Sequence, residues 1–523
     1  MPTYKQLTRR NPEYRADTWA KIRALYDVVA IVEKRDILKK LMPRGYGETD
    51  DNYNERLERA FYIPYLPGII DWIVSALMTS AVAMKSQPQA DRFYDEFAEN
   101  TASDDAEKVP LQEYVRNLVL TALLLRRAWT LVDFPERLPG MEFKSRADED
   151  SAGVRRAYLC SVDPENVLDW ERDRKGQLTW VCILSETQPR ETIESSRDEI
   201  RQEFTVYTQD KWTRYAIQFK ADKQPKPDDP VPEIASGAHS FGCVPVIPFE
   251  LPRGLWAAGK IMSIAIAHLN QRNALSWGQL RSLFQFLLWK MQPAGNAAGA
   301  DDPVAEDTSR PVSQTFGPGR VIQAAENDTV EYVGPDAGPF EFALQDLNAL
   351  RDEMHRVVSA MAQSVDNSGA ALKRSAESKQ IDQNAMTVVL EHLGDRVRKF
   401  LIRLFQIIAT GRGDSPVEWT AEGMDDYGDI SASAFVDEAV ALEGIEMPPE
   451  FWIIYKFALA RKLVGNFATP DELKKIRAQL ESMTTAESVM RERLPKNQTP
   501  PGATDPESPD DGEGAAGGQS NAG

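Results

Sequence analysis

Residues 256–288 read WAAGKIMSIAIAHLNQRNALSWGQLRSLFQFLL, a run with no proline and with glycine only at positions 259 and 278. A stretch of that length and composition predicts one long helix from Trp256 to about Leu288. At about 1.5 Å per residue, roughly 26 residues of it would reach about 39 Å. Helical signal then stops. Pro293 to Pro311 is rich in Ala, Gly, Asp and Pro, and two strand-like pieces follow, Arg320–Gln323 and Thr329–Val333, bounded by Gly317-Pro-Gly319 and Gly334-Pro335. A second helix is predicted from about Phe340. Leu347, Leu350, Met354, Val357, Met361 and Val365 recur at three or four residues and build one apolar stripe. Two long helices that bracket a small β insert make a protruding hairpin, and a ring of such hairpins would make a tube.

The reading extends from this hairpin toward the C-terminus. Asp366-Asn-Ser-Gly369 interrupts the helical pattern, and a third, longer helix runs to about Thr410. Met386, Leu390, Leu393, Val397, Phe400, Leu404 and Ile407 alternate spacings of four and three. Val388, Val389, Leu401, Phe405 and Ile408 widen that face, which points to a buried spine helix rather than a free coiled coil. Gly411–Ser433 is a turn-rich acidic stretch. Pro448–Met483 returns to helix, with Phe451, Trp452, Tyr455 and Phe457 clustered and Thr469-Pro-Asp-Glu472 as a helix start. After Leu494 no large apolar residue occurs, and the tail to Gly523 is expected to be disordered.

On the N-terminal side, Ala16–Val32 and Val109–Leu131 carry apolar residues at helical spacing, and a buried helix is expected to begin after Pro67-Gly68 and run through Ile69–Met84. From about Arg156 the texture changes to short runs rich in β-branched and aromatic residues. Tyr158–Val162, Leu178–Leu184, Phe204–Thr208 and Trp212–Phe219 predict an antiparallel meander, with a hairpin connection near Gly176. Lys220–Ser236 reads as a loop, and Val244–Leu251 as extended chain because each proline pushes its predecessor away from helix. The fold class expected is α+β, mainly helical.

The 523 residues carry a net charge of -19, with a mean hydropathy of -0.43. That balance is the reverse of what a protein gripping DNA by phosphate neutralisation usually shows. It suits a surface that repels phosphates, and equally a merely soluble one. No transmembrane helix or secretion signal is expected: Pro64, Pro67 and Asp71 interrupt the most apolar region. Cys160, Cys182 and Cys243 are odd in number and far apart, which suits small buried residues in a reducing compartment. GxxxxGK[ST], HExxH, GxSxG and CxxC are all absent from the sequence, and His239, His268, His355 and His392 are scattered. Asp425, Asp426 and Asp429 miss the EF-hand spacing and read as a solvated acidic loop. The expectation is therefore no enzyme, no cofactor and no metal. The alternatives are a divergent metal-dependent DNA enzyme using Asp425 or Asp426, and a helical scaffold.

The order of parts, over about residues 50 to 410, resembles the bacteriophage portal protein family. The phrases that carry it are Tyr53-Asn-Glu-Arg-Leu-Glu-Arg-Ala-Phe61, Val162-Asp-Pro-Glu-Asn-Val-Leu-Asp-Trp170 and Ser368-Gly-Ala-Ala-Leu-Lys373. The resemblance implies a wing over 1–255, stem helices over 256–281 and 340–364, and a clip over 282–339. It also implies a tunnel loop over 365–376, the wing's long helix and its continuation over 377–436, a crown over 437–494, and the tail over 495–523. It implies a homo-oligomeric ring, usually of about twelve subunits, at one capsid vertex of the virion, assembled in the host cytoplasm without a membrane. Double-stranded DNA would pass through it, and its partners would be the major capsid protein, the terminase large subunit and then the head-tail adaptor. Leu347, Leu350, Met354, Val357 and Met361 would pack against neighbouring stem helices, and Asn367, Ser368, Lys373 and Arg374 would face DNA. The alternative within the same resemblance is another phage head structural protein, such as a coat or adaptor. Two departures stand out. Phe284 and Phe286–Trp289 continue the apolar run beyond the first stem helix, as helix or as clip strand. Lys373 and Arg374 are basic where an acidic lining is expected: the pair would brush phosphates, or cap the next helix through Glu377.

Overall fold

The computed structural model describes residues 1–27, 35–88, 92–103, 107–135, 143–188, 199–282, 286–290, 329–333, 338–365, 378–424, 427, 448–464, 472 and 475–482. The expected strand Arg320–Gln323, the tunnel loop from 366 onward, Asp425, Asp426 and the tail lie outside these residues. The chain mixes helix and sheet and is about half helical. It divides into two units, Met1–Gly428 and Asp429–Gly523.

The first unit opens with α1 (Tyr4–Leu7), α2 (Ala16–Tyr26), α3 (Arg35–Leu41), α4 (Asp50–Glu58) and α5 (Tyr65–Leu77). Helix α5 starts earlier than expected. Pro67 sits inside its first turn, where a missing N–H costs nothing because that donor has no intrahelical acceptor. It ends at Leu77, so the predicted continuation to Met84 is wrong. Ala83–Gln87 is instead strand β1, paired antiparallel with β12 (Glu418–Glu422) out of the stretch read as acidic turns.

After α6 (Phe93–Glu99), α7 covers Leu111–Leu125. The expected helix to Leu131 is also corrected: Arg126 turns left-handed at φ 71° and ends α7, and Arg127–Asp133 becomes β2. That strand is apolar on both faces, so its sequence alternates neither like a solvated strand nor clearly unlike a helix. It forms the centre of a three-stranded sheet between β3 (Tyr158–Val162) and β9 (Val246–Glu250), beyond the short helix α8 (Arg146–Ser151). Strand β3 therefore does not belong to the meander as expected. The meander has five strands, β4 (Val167–Arg172), β5 (Leu178–Thr187), β6 (Glu199–Tyr207), β7 (Lys211–Lys220) and β8 (Glu233–Ala238), the last emerging from the segment read as loop. The hairpin at Gly176 is present, with Gly176 at φ 79° and Asp173 N–H donating to Gln177 O.

Alternation along the strands builds the layers. Trp129, Leu131 and Val246 face Val167, Trp170 and Val181 of the meander, with the Trp129 and Trp170 rings 5.3 Å apart. Ala128, Val132, Ile247 and Phe249 point the other way, into the helical core. The meander's outer face receives Leu7 and Val231 beside Phe204 and Cys182. The order is helices, three-stranded sheet, five-stranded sheet, N-terminal segment.

Two long helices, α9 (Ala257–Ser282) and α10 (Gly338–Val365), are separated by β10 (Phe286–Lys290) and β11 (Thr329–Val333). Phe286–Trp289 of the apolar run are thus strand rather than helix, and Phe284 lies outside the described residues. The spine helix α11 (Ser378–Arg412) buries Val389, Leu393, Val397, Leu401, Leu404, Phe405 and Ile408, the wide face its sequence predicts. Its C-terminus is held by buried charge. Arg412 donates to Asp414 and Asp150, Arg155 donates to Asp414, and each guanidinium also donates to the other residue's carbonyl. In the second unit α12 (Pro449–Val464) gathers the rings of Phe451, Trp452 and Tyr455, and 475–482 is helical.

Candidate functional site

The helical hairpin is the candidate site. Helices α9 and α10 lie antiparallel: Gly278, near the end of α9, meets Phe340 near the start of α10, and Gln271 donates to Asp346 one stage further down. At their far ends, β10 and β11 continue the hairpin in antiparallel register from Phe286↔Val333 to Lys290↔Thr329. With 26 and 28 residues, the two helices reach about 39 and 42 Å. This ladder satisfies the backbone hydrogen bonds between the two strands.

The helical block grips α9 along most of its length, from Trp256 to Trp277. Asn273, buried on α9, donates to Phe61 O and accepts from Phe61 N–H. Asn270 donates to Leu41 O at 2.9 Å. Trp256 Nε1 donates to Leu124 O, and its ring covers Gly259, where a Cβ would stand 2.4 Å from the indole. The phrase at 53–61 belongs to this grip. Tyr53 donates to Met42 O, Arg56 pairs with Glu48, Arg59 lies over the Trp277 ring and Arg272 over Phe61. His268, also buried, meets Tyr65 edge-on at 5.1 Å. Burial, reinforced by the charges of Arg272 and Arg351, pushes its pKa below the ordinary histidine value.

The predicted packing residues are placed as follows. Leu347, Met354 and Met361 are buried, and Leu350 and Val357 half-buried. Met354, Val358 and Met361 join the main core of the same chain, so much of the stripe expected to meet neighbouring copies is used inside one chain. What α10 leaves exposed is Phe342, 74% accessible, and Leu344, 52% accessible. Phe342 falls off the three-four spacing, whereas Leu344, three residues before Leu347, continues it and is nonetheless exposed. Asn367, Ser368, Lys373 and Arg374 lie outside the described residues. Among the described residues no group of His, Cys, Asp and Glu is arranged to hold a metal ion, and no helix is long and apolar enough to cross a membrane. The three cysteines are free; burial pushes the Cys182 thiol up to about 12.

Neither a protein-family model nor a curated protein matches the chain. A solved structure described as "Neck of empty GTA particle computed with C6 symmetry" is similar at a TM-score of 0.39 and 13% identity, covering 79% of this chain and 96% of that chain. Similarity at that level carries no argument about this chain.

Proposed function

We propose that this chain is a portal subunit, the ring-forming channel of a phage-like head through which double-stranded DNA is packaged and ejected. The observation that carries the reading is the antiparallel pair α9 and α10, tipped by the β10–β11 hairpin and rooted by Asn270 and Asn273 in a helix-and-sheet body. A two-helix hairpin packed on the chain's own core suits a wall element, because its shape does not depend on a neighbour. Phe342 and Leu344 supply the apolar surface for a neighbouring copy. Head-to-tail contacts between such surfaces close into a ring. The net charge of -19 suits a channel that DNA slides through instead of one that holds it. In this reading the chain performs no covalent chemistry and needs no cofactor. A separate terminase motor drives the DNA, the tip beyond β10 and β11 docks that motor and later the head-tail adaptor, and the wing meets the major capsid protein in the virion.

The test is the mass and shape of the purified protein, by light scattering with negative-stain microscopy. A ring near twelve subunits, roughly 700 kDa, with a central hole is the expected result, given 58.6 kDa per chain. A compact dimer without a hole, unchanged by concentration or by co-expressed scaffold, would overturn the reading.

A further inference from the structure

A cleft of about 470 Å³ opens where α2, the end of α7 and the start of α9 converge. In a protein with 80 acids against 61 lysines and arginines, its lining is reversed: Arg15, Arg126, Arg127, Arg253 and Lys260 line it, with Glu13 as the lone carboxylate. Arg127 is committed to Glu13 and Glu250, and Arg126 to Glu250. Arg15, Arg253 and Lys260 have no carboxylate partner among the described residues. Arg15 and Arg253 are exposed at the cleft, whereas Lys260 is half-buried, so its charge stands in a partly desolvated place without an ion pair among the described residues. Burial accordingly lowers its pKa. Arg127 is nearly buried, and its Nε finds no acceptor among the described residues.

Backbone adds to this field. The cleft is lined by Arg15 and Thr18 at the start of α2, and by Trp256, Gly259 and Lys260 at the start of α9. Helix α2 has no side-chain cap at its N-terminus. Both helices thus begin beside the same cavity and bring the positive end of their dipoles near it. Uncompensated like charges gathered in a half-closed space repel one another, and an anion relieves that repulsion.

We infer that this cleft is a binding site for a polyanionic phosphate ligand, held by Arg15, Arg253 and Lys260. The choice of phosphate over a single carboxylate rests on charge: three cations lack partners, and one carboxylate would neutralise only one. Guanidinium pairs and helix N-termini also match the several oxygens of a phosphoryl group. A polyphosphate or consecutive phosphodiesters of a nucleic acid both carry this chemistry. The inference does not depend on the ring reading, since ligand binding is measured per chain whatever the assembly.

The experiment is calorimetric titration of the full chain with pyrophosphate at low salt, comparing the wild type with the triple variant Arg15→Gln, Arg253→Gln, Lys260→Gln. The control is Lys211→Gln with Lys220→Gln, both exposed on β7. Saturable binding in the wild type and control, weakened about tenfold or more in the triple variant, is the expected result. Displacement of pyrophosphate by a thymidine oligonucleotide would make the nucleic-acid backbone the source, and failure of that displacement a free polyphosphate; either outcome supports the phosphate site. Absent or non-saturable binding, or equal binding by the triple variant, would overturn it. So would a glutamate-rich peptide that binds through the same three residues more tightly than pyrophosphate. Matched melting temperatures establish that the triple variant is folded.

Discussion

His268 shows how a single position ties pH to stability. It is buried against Tyr65 near the root of the hairpin, and its native pKa lies below the unfolded value of about 6.5. The folded state therefore holds this proton less well than the unfolded chain does. The stability that follows is complete above about pH 6.5 and is lost as the pH falls from there through the lowered native value. His239, half-buried, is shifted in the same direction by burial and contributes a parallel loss. Urea unfolding at pH 7.5 and pH 5.0 checks this. The acid loss should be smaller in His268→Gln than in the wild type, and an identical loss in the variant would count against it. The readout is the difference between the two pH values within each protein, so a general weakening by the substitution does not obscure it. Glu13 adds stability of the same sign from a different cause: its hydrogen bond from Arg127, against the opposing effect of burial, and the charges of Arg127, Arg126 and Arg172 hold its carboxyl below the usual range, so its contribution too is lost as the pH falls.

At the scale of the element, the two faces of α10 have separable roles. Met354 is fully buried in the chain's own core, whereas Phe342 projects into solvent. Met354→Ala removes packed volume and is expected to cost about 2–5 kcal/mol of chain stability, read from denaturant unfolding. Phe342→Asp removes no internal contact of that kind. Its expected effect is a shift from rings toward smaller species in light scattering, at an unfolding midpoint close to that of the wild type. If Phe342→Asp forms rings as readily as the parent, the outward face of α10 is not the contact between copies. The helical spacing of Leu347, Met354 and Met361 was legible in the sequence. Their burial within one chain was not, because an apolar stripe looks the same whether its partner is covalently attached or a second molecule.

For the whole molecule, every large apolar cluster among the described residues lies within the first unit, between Leu7 and Tyr427. A fragment ending at Gly428 is therefore expected to fold by itself. Far-UV circular dichroism should show it melting cooperatively, and a gradual, non-cooperative loss of signal would mean that residues 429–523 complete its core.

Local sequence determined the long helices: α9 by a long run without proline, and α10 and α11 by a one-sided apolar stripe that has few other ways to be buried. The β texture after Arg156 and the turn at Gly176 were also set locally, by branched and aromatic residues and by a backbone that needs positive φ. Three things were decided only in three dimensions. Arg127–Asp133 became a strand because both its faces find a layer to pack on, and a strand buried on both faces has no alternation to read. Ala83–Gln87 and Glu418–Glu422 became strands because each supplies the other's hydrogen bonds across more than three hundred residues of chain. The basic cleft arose from Arg15, Arg126, Arg127, Arg253 and Lys260, which come from three separate stretches of sequence and share no motif. Local sequence specifies which backbone a segment prefers, but the charge of a cavity depends on which distant segments fold against it.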